Sequence, residues 1–144
     1  MKRVLIPLIA LLAVGCDISC TEIGCISGLT VNLDIADEGD WAFQIDTGAD
    51  LIDCEFNLPT DAGIIECTSE TVWLEVNLVG EDGDYTGTLG ISGAPETVIL
   101  SAWLDGELIT EVTESPEYSE SYPNGKRCDQ DSPCLSAVVD VSLE

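Results

Sequence analysis

Apolar and polar residues alternate along most of the chain from Gly28 onward. Val31, Leu33 and Ile35 alternate with Asn32 and Asp34, and Trp41, Phe43 and Ile45 with Ala42, Gln44 and Asp46. Ile52, Cys54, Phe56 and Leu58 alternate with Asp53, Glu55 and Asn57. A period of two puts one set of side chains on each face of an extended segment, so each run predicts a half-buried β-strand. The cleanest run is Val72, Leu74, Val76 and Leu78, with Trp73, Glu75 and Asn77 facing the other way. Residues 85–91 form a weaker candidate carrying Leu89 and Ile91. Val98, Leu100, Ala102 and Leu104 then lead to Asp105-Gly106, a hairpin signal, and 107–113 returns with Leu108, Thr110 and Val112. Ala137, Val139, Val141 and Leu143 align in a last strand.

Turns rich in Gly, Pro and Asp separate these runs, as in Asp37-Glu38-Gly39-Asp40, Thr47-Gly48-Ala49-Asp50 and Gly80-Glu81-Asp82-Gly83-Asp84. No window shows a helical period. Seven to nine short strands at this spacing predict an all-β domain, an immunoglobulin-like antiparallel β-sandwich, with a small β-barrel as the alternative. Residues 114–133 are the longest stretch without a strand pattern. A long loop of this kind is commonly functional or covalently pinned, and Cys128 near its end favours pinning.

The first fifteen residues break the alternation. Lys2 and Arg3 precede an apolar run from Val4 to Val14, and Gly15 stands before Cys16. The run is shorter than the ~20 residues of a spanning helix and reads as a signal peptide. Leu12-Ala13-Val14-Gly15-Cys16 resembles a lipobox, with Ala13 where that motif usually has Leu. Cys16 is therefore the expected lipid-attachment site, and ordinary secretion with cleavage nearby is the alternative. The chain then divides into a signal peptide (1–15), a tether and lead-in (16–27) and a β-sandwich domain (28–144). The expected location is a bacterial cell envelope, held by lipid to a membrane, the outer ahead of the inner. Asp17, next to the lipid site, matches an inner-membrane retention signal of some bacteria. A secreted or periplasmic protein is the alternative.

Charge and cysteine content narrow the partners. Residues 16–144 carry 28 acids against Lys126 and Arg127, a formal charge of −26. Such a chain repels nucleic acid and anionic lipid surfaces. With 45% hydrophobic residues, the full chain is too apolar for a disordered acidic segment. Setting Cys16 aside leaves six cysteines, Cys20, Cys25, Cys54, Cys67, Cys128 and Cys134, an even set expected to form three disulfides outside the cytoplasm. Cys54 and Cys67, both in register with inward-facing neighbours, are the expected pair. The other four lie near the two ends of the domain. They either bridge those ends or pair locally as Cys20–Cys25 and Cys128–Cys134. Their C-x4-C and C-x5-C spacings, with no histidine anywhere, do not suit zinc.

The absence of histidine also removes Ser-His-Asp and Cys-His catalysis, and Lys126 lies in no S-x-x-K motif. A non-enzymatic role is expected, with no cofactor. The acidic turns, Asp34, Asp37, Glu38 and Asp40, then Glu81, Asp82 and Asp84, raise a weak calcium reading. Counted from Asp82, however, Gly93 stands where an EF-hand needs a bidentate Glu. Trp41 is expected in the core. Trp73 and Trp103 fall opposite the apolar rows and are the candidate binding surface. The reading is an acidic, lipid-anchored envelope module that binds an envelope protein or polysaccharide. A structural calcium-binding envelope module is the alternative.

A signal ending in cysteine, a β-rich body, Pro116-Glu117-Tyr118, Tyr122-Pro123-Asn124-Gly125 and two late cysteines together resemble a group of uncharacterised bacterial lipoproteins. The resemblance spans most of the chain through short motifs. It implies a disulfide-stapled β-sandwich and brings no activity or functional residues with it.

Overall fold

Each alternating run forms a strand in the computed structural model, which describes Gly24, residues 26–79 and residues 84–143. The signal segment, Cys16, Cys20 and Cys25 lie outside the described residues. The strands are β1 (Gly28–Ile35), β2 (Gly39–Asp46), β3 (Leu51–Leu58), β4 (Gly63–Ile65), β5 (Val72–Val79), β6 (Asp84–Ser92), β7 (Val98–Leu104), β8 (Glu107–Glu114), β9 (Ser119–Ser121) and β10 (Cys134–Leu143). Among the described residues ten are present rather than seven to nine. The additions, β4 and β9, have three residues each, too few to show an alternation. β9 lies inside the stretch that carries no strand pattern, pairing Ser119 to Ser121 with the start of β10.

The strands form two open sheets, a six-stranded one in the order β4-β5-β6-β1-β10-β9 and a four-stranded one in the order β3-β2-β7-β8. This is a β-sandwich and not a closed barrel. If β1, β2, β3, β5, β6, β7 and β8 are read as strands B, C, C′, D, E, F and G, their neighbours are those of the immunoglobulin arrangement. Beside β1, where strand A would pair antiparallel, lies β10 from the far end of the domain. It runs parallel to β1, Gly28 opposite Ser136 through Ile35 opposite Leu143, and every other ladder is antiparallel. Ser27 extends the pairing by accepting a 3.0 Å hydrogen bond at Oγ from the Leu135 amide.

The inward rows of both sheets make one core. Leu29, Leu33, Leu74 and Leu89 of the larger sheet meet Trp41, Phe43, Ile45 and Leu100 of the smaller. Phe43 takes edge-on contacts from Trp41 at 5.8 Å and Phe56 at 5.1 Å between ring centres. That geometry aims positive ring edges at negative ring faces. The Trp41 indole donates to the Asp37 carbonyl oxygen at 3.1 Å, so its polar atom enters the core with a partner.

Cys54 and Cys67 are disulfide-bonded, with Cα atoms 4.3 Å apart. Cys54 lies on β3 and Cys67 follows β4, the terminal strands of the two sheets on one side of the sandwich. The bond therefore closes an open flank where backbone ladders stop. Cys128 and Cys134 each take part in a disulfide as well. The loop that contains Cys128 is held in other ways too. The Tyr118 hydroxyl donates to the Pro95 carbonyl oxygen at 2.9 Å, and Asp129 accepts from the Asn124 amide at 2.8 Å.

Candidate binding face

The outer face of the six-stranded sheet is set by the residues that alternate with the core. β5 contributes Trp73, Glu75 and Asn77, and β6 Thr86, Thr88 and Gly90. β1 contributes Thr30, Asn32 and Asp34, and β10 Val138, Asp140 and Ser142. Strand register sorts these into rows across the sheet. One row reads Trp73, Gly90, Thr30, Val138, and the next Glu75, Thr88, Asn32, Asp140. A third reads Asn77, Thr86, Asp34, Ser142.

Trp73 is seated by a neighbour that lacks a side chain. A Cβ placed on Gly90 would lie 2.0 Å from the indole Nε1 and 2.1 Å from Cε2. The indole thus covers the position where any other residue would project, while 49% of Trp73 stays exposed. Covering a strand glycine with an aromatic ring shields its backbone. The same packing holds the ring down against the sheet. The far end of the row is Val138, 68% exposed, and Ile64 on β4 is 83% exposed beside Glu75. Gly90→Ala is expected to evict the indole into solvent. Collisional quenching of tryptophan emission should rise, with stability changed by no more than about 1 kcal/mol. Unchanged quenching would show that the indole does not occupy that seat.

The other two rows are polar. Asn32 Nδ2 donates to Asp140 Oδ1 at 2.8 Å, and Asn77 Nδ2 to Glu75 Oε1 at 3.2 Å. Asp34, Thr86 and Thr88 make no side-chain hydrogen bond to another described residue. An open trough of about 560 Å³ runs between these residues and Ser142. A smaller hollow of about 230 Å³ lies beside Trp73, between Thr30, Gly90 and Ser136. Asp34, Glu75 and Asp140 make the face negative, and none of its twelve row residues is a base.

Trp103 does not share this face. It lies on β7, half-buried on the outer side of the four-stranded sheet, opposite Ala42 on β2 and Leu108 on β8. A β-bulge between Ala102 and Trp103 shifts the register there and turns Leu108 outward, 51% exposed. The two tryptophans named from sequence therefore stand on opposite sides of the sandwich. Gly90, Thr30, Thr88, Asn32 and Asp140 join Trp73 without having been singled out. Their outward direction was legible in the alternation, but their adjacency was not.

Two carboxylates of the first acidic cluster make ordinary internal contacts. Glu38 accepts from the Tyr85 hydroxyl at 3.0 Å, and Asp40 accepts from Asn57 Nδ2 at 2.6 Å. Burial, then the hydrogen bond and charge of Glu38, push the Tyr85 phenol above its usual range. Among the described residues no group of three or more carboxylates, cysteines or histidines is placed to hold a metal ion. Glu81 and Asp82 lie outside the described residues. Among the described residues no helix is long and apolar enough to cross a membrane. No family model, curated protein or solved structure matches this chain.

Proposed function

We propose that this protein is a non-enzymatic, lipid-anchored module of a bacterial cell envelope that binds its partner on the outer face of the six-stranded sheet. The observation that carries this reading is the indole of Trp73, seated over Gly90 and half-open to solvent beside rows of hydroxyl, amide and carboxylate groups. An aromatic ring presented beside polar side chains offers stacking area and oriented hydrogen bonds in one place. The N-terminal sequence supports anchoring at Cys16, and oxidised Cys54, Cys67, Cys128 and Cys134 suit an exported protein. Several acyl chains, each adding about 0.8 kcal/mol per buried methylene, would hold the domain to the bilayer with no spanning segment.

Two measurements test the two halves of the reading. Intact-mass analysis of membrane-extracted protein is expected to show a chain that begins at Cys16 and carries acyl groups. An unacylated chain starting elsewhere refutes the anchor. Co-sedimentation with delipidated envelope material, the protein being held in detergent so that its acyl chains are occupied, is expected for the wild-type protein and lost in Trp73→Ala. Equal sedimentation of the two refutes this face as the binding surface.

A further inference from the structure

We propose that the occupant of this face is an uncharged, extended polysaccharide lying across the strands, an inference that rests on reading the face as a binding surface. Two adjacent rows carry it. Trp73, Gly90, Thr30 and Val138 form a track poor in hydrogen-bonding groups, apolar at both ends. Glu75, Thr88, Asn32 and Asp140 form a polar track directly beside it. With strands ~4.8 Å apart and same-face neighbours ~6.8 Å apart along each strand, the tracks run roughly 15 Å in parallel. A pyranose chain has the matching two-sided chemistry. Its C–H faces stack on an indole, and its equatorial hydroxyls hydrogen-bond to carboxylate, amide and threonine side chains.

Charge and shape limit the class of glycan. Asp34, Glu75 and Asp140, with no base among the row residues, repel uronates, sulfated glycans and polyphosphates. The hollow beside Trp73 is open, so it admits the interior of a chain rather than enclosing a chain end. A broad sheet face suits an extended β-linked ribbon better than a coiled one. A protein partner fits less well. Protein interfaces centre on a desolvated apolar cluster, whereas here Gly90 and Thr30 separate Trp73 from Val138 and Ile64 ends the polar row beside Glu75.

The test titrates the full-length protein in detergent micelles with cellohexaose, xylohexaose and N-acetylchitohexaose, with oligogalacturonate as the charged control. At least one neutral oligosaccharide is expected to bind, with blue-shifted and protected tryptophan emission. Trp73→Ala should weaken that binding about tenfold or more, and Asn32→Ala severalfold, while Trp103→Phe leaves it unchanged. Asn32→Ala keeps the test decisive where Trp73→Ala proves unstable, because Asn32 is exposed and packs nothing in the core. Binding of oligogalacturonate, or of none of the neutral probes, overturns the polysaccharide assignment. If envelope binding still depends on Trp73 but vanishes when the envelope is treated with protease, the face stands and its partner is a protein. If envelope binding ignores Trp73, the face itself is wrong.

Discussion

Trp41→Ala is expected to cost the domain about 3–5 kcal/mol, enough to consume a large part of an ordinary domain's stability. Trp41 is 2% exposed and touches Phe43 edge-on in the middle of the core. Its removal loses the transfer energy of the largest buried side chain and leaves a cavity that a β-sandwich closes poorly. Backbone ladders on both sides, to β3 and to β7, hold β2 in place. The Asp37 carbonyl also loses the indole N–H that it accepts. Urea denaturation followed by far-UV circular dichroism measures the loss. Trp103→Ala is the comparison, and its half-buried side chain should cost much less. A loss below about 1 kcal/mol for Trp41→Ala would refute the core assignment.

Replacing Cys54 and Cys67 together by alanine is expected to cost about 3 kcal/mol by a different route. The bond spans 13 positions, so cutting it frees a short closed loop in the unfolded chain. It also opens the flank between β3 and the segment after β4, which an isolated bridge and a 2.9 Å hydrogen bond from the Asp53 amide to Thr68 Oγ1 otherwise link. Cys54 is buried, so the trimmed side chain leaves a small apolar gap in addition. The midpoint of denaturation should fall markedly under non-reducing conditions, and reduction of the wild-type protein should lower it further still, because Cys128 and Cys134 are bonded as well. An unchanged midpoint in the double variant would show that the flank is held without the bond.

The period-two pattern made the body of this fold legible. Inward rows such as Val72, Leu74 and Val76, or Ile52, Cys54 and Phe56, are buried as their alternation requires. The Cys54–Cys67 pair followed from the same reasoning, because both cysteines shared a face with core residues. What the alternation could not supply was lateral order. Thr30 and Val138 are neighbours across 108 positions, and nothing local in either segment encodes a parallel partner. Gly90 was equally silent. A glycine in a strand signals a bulge or a close approach, but not which side chain approaches. The division of Trp73 from Trp103 has the same origin, since alternation puts each on a strand's outer face without saying which sheet that strand joins.

The parallel pairing of β1 with β10 has a mechanical consequence. Any pull transmitted through residues 26 and 27 enters the domain at Gly28, along the axis of β1. β1 is not an edge strand but lies between β6 and β10, bonded to both over its full length. Such a load acts in shear, straining both ladders together, instead of peeling hydrogen bonds one at a time. A domain drawn by a tether at this end resists extraction with many bonds at once, shared along both ladders as far as Ile35 and its partners Tyr85 and Leu143.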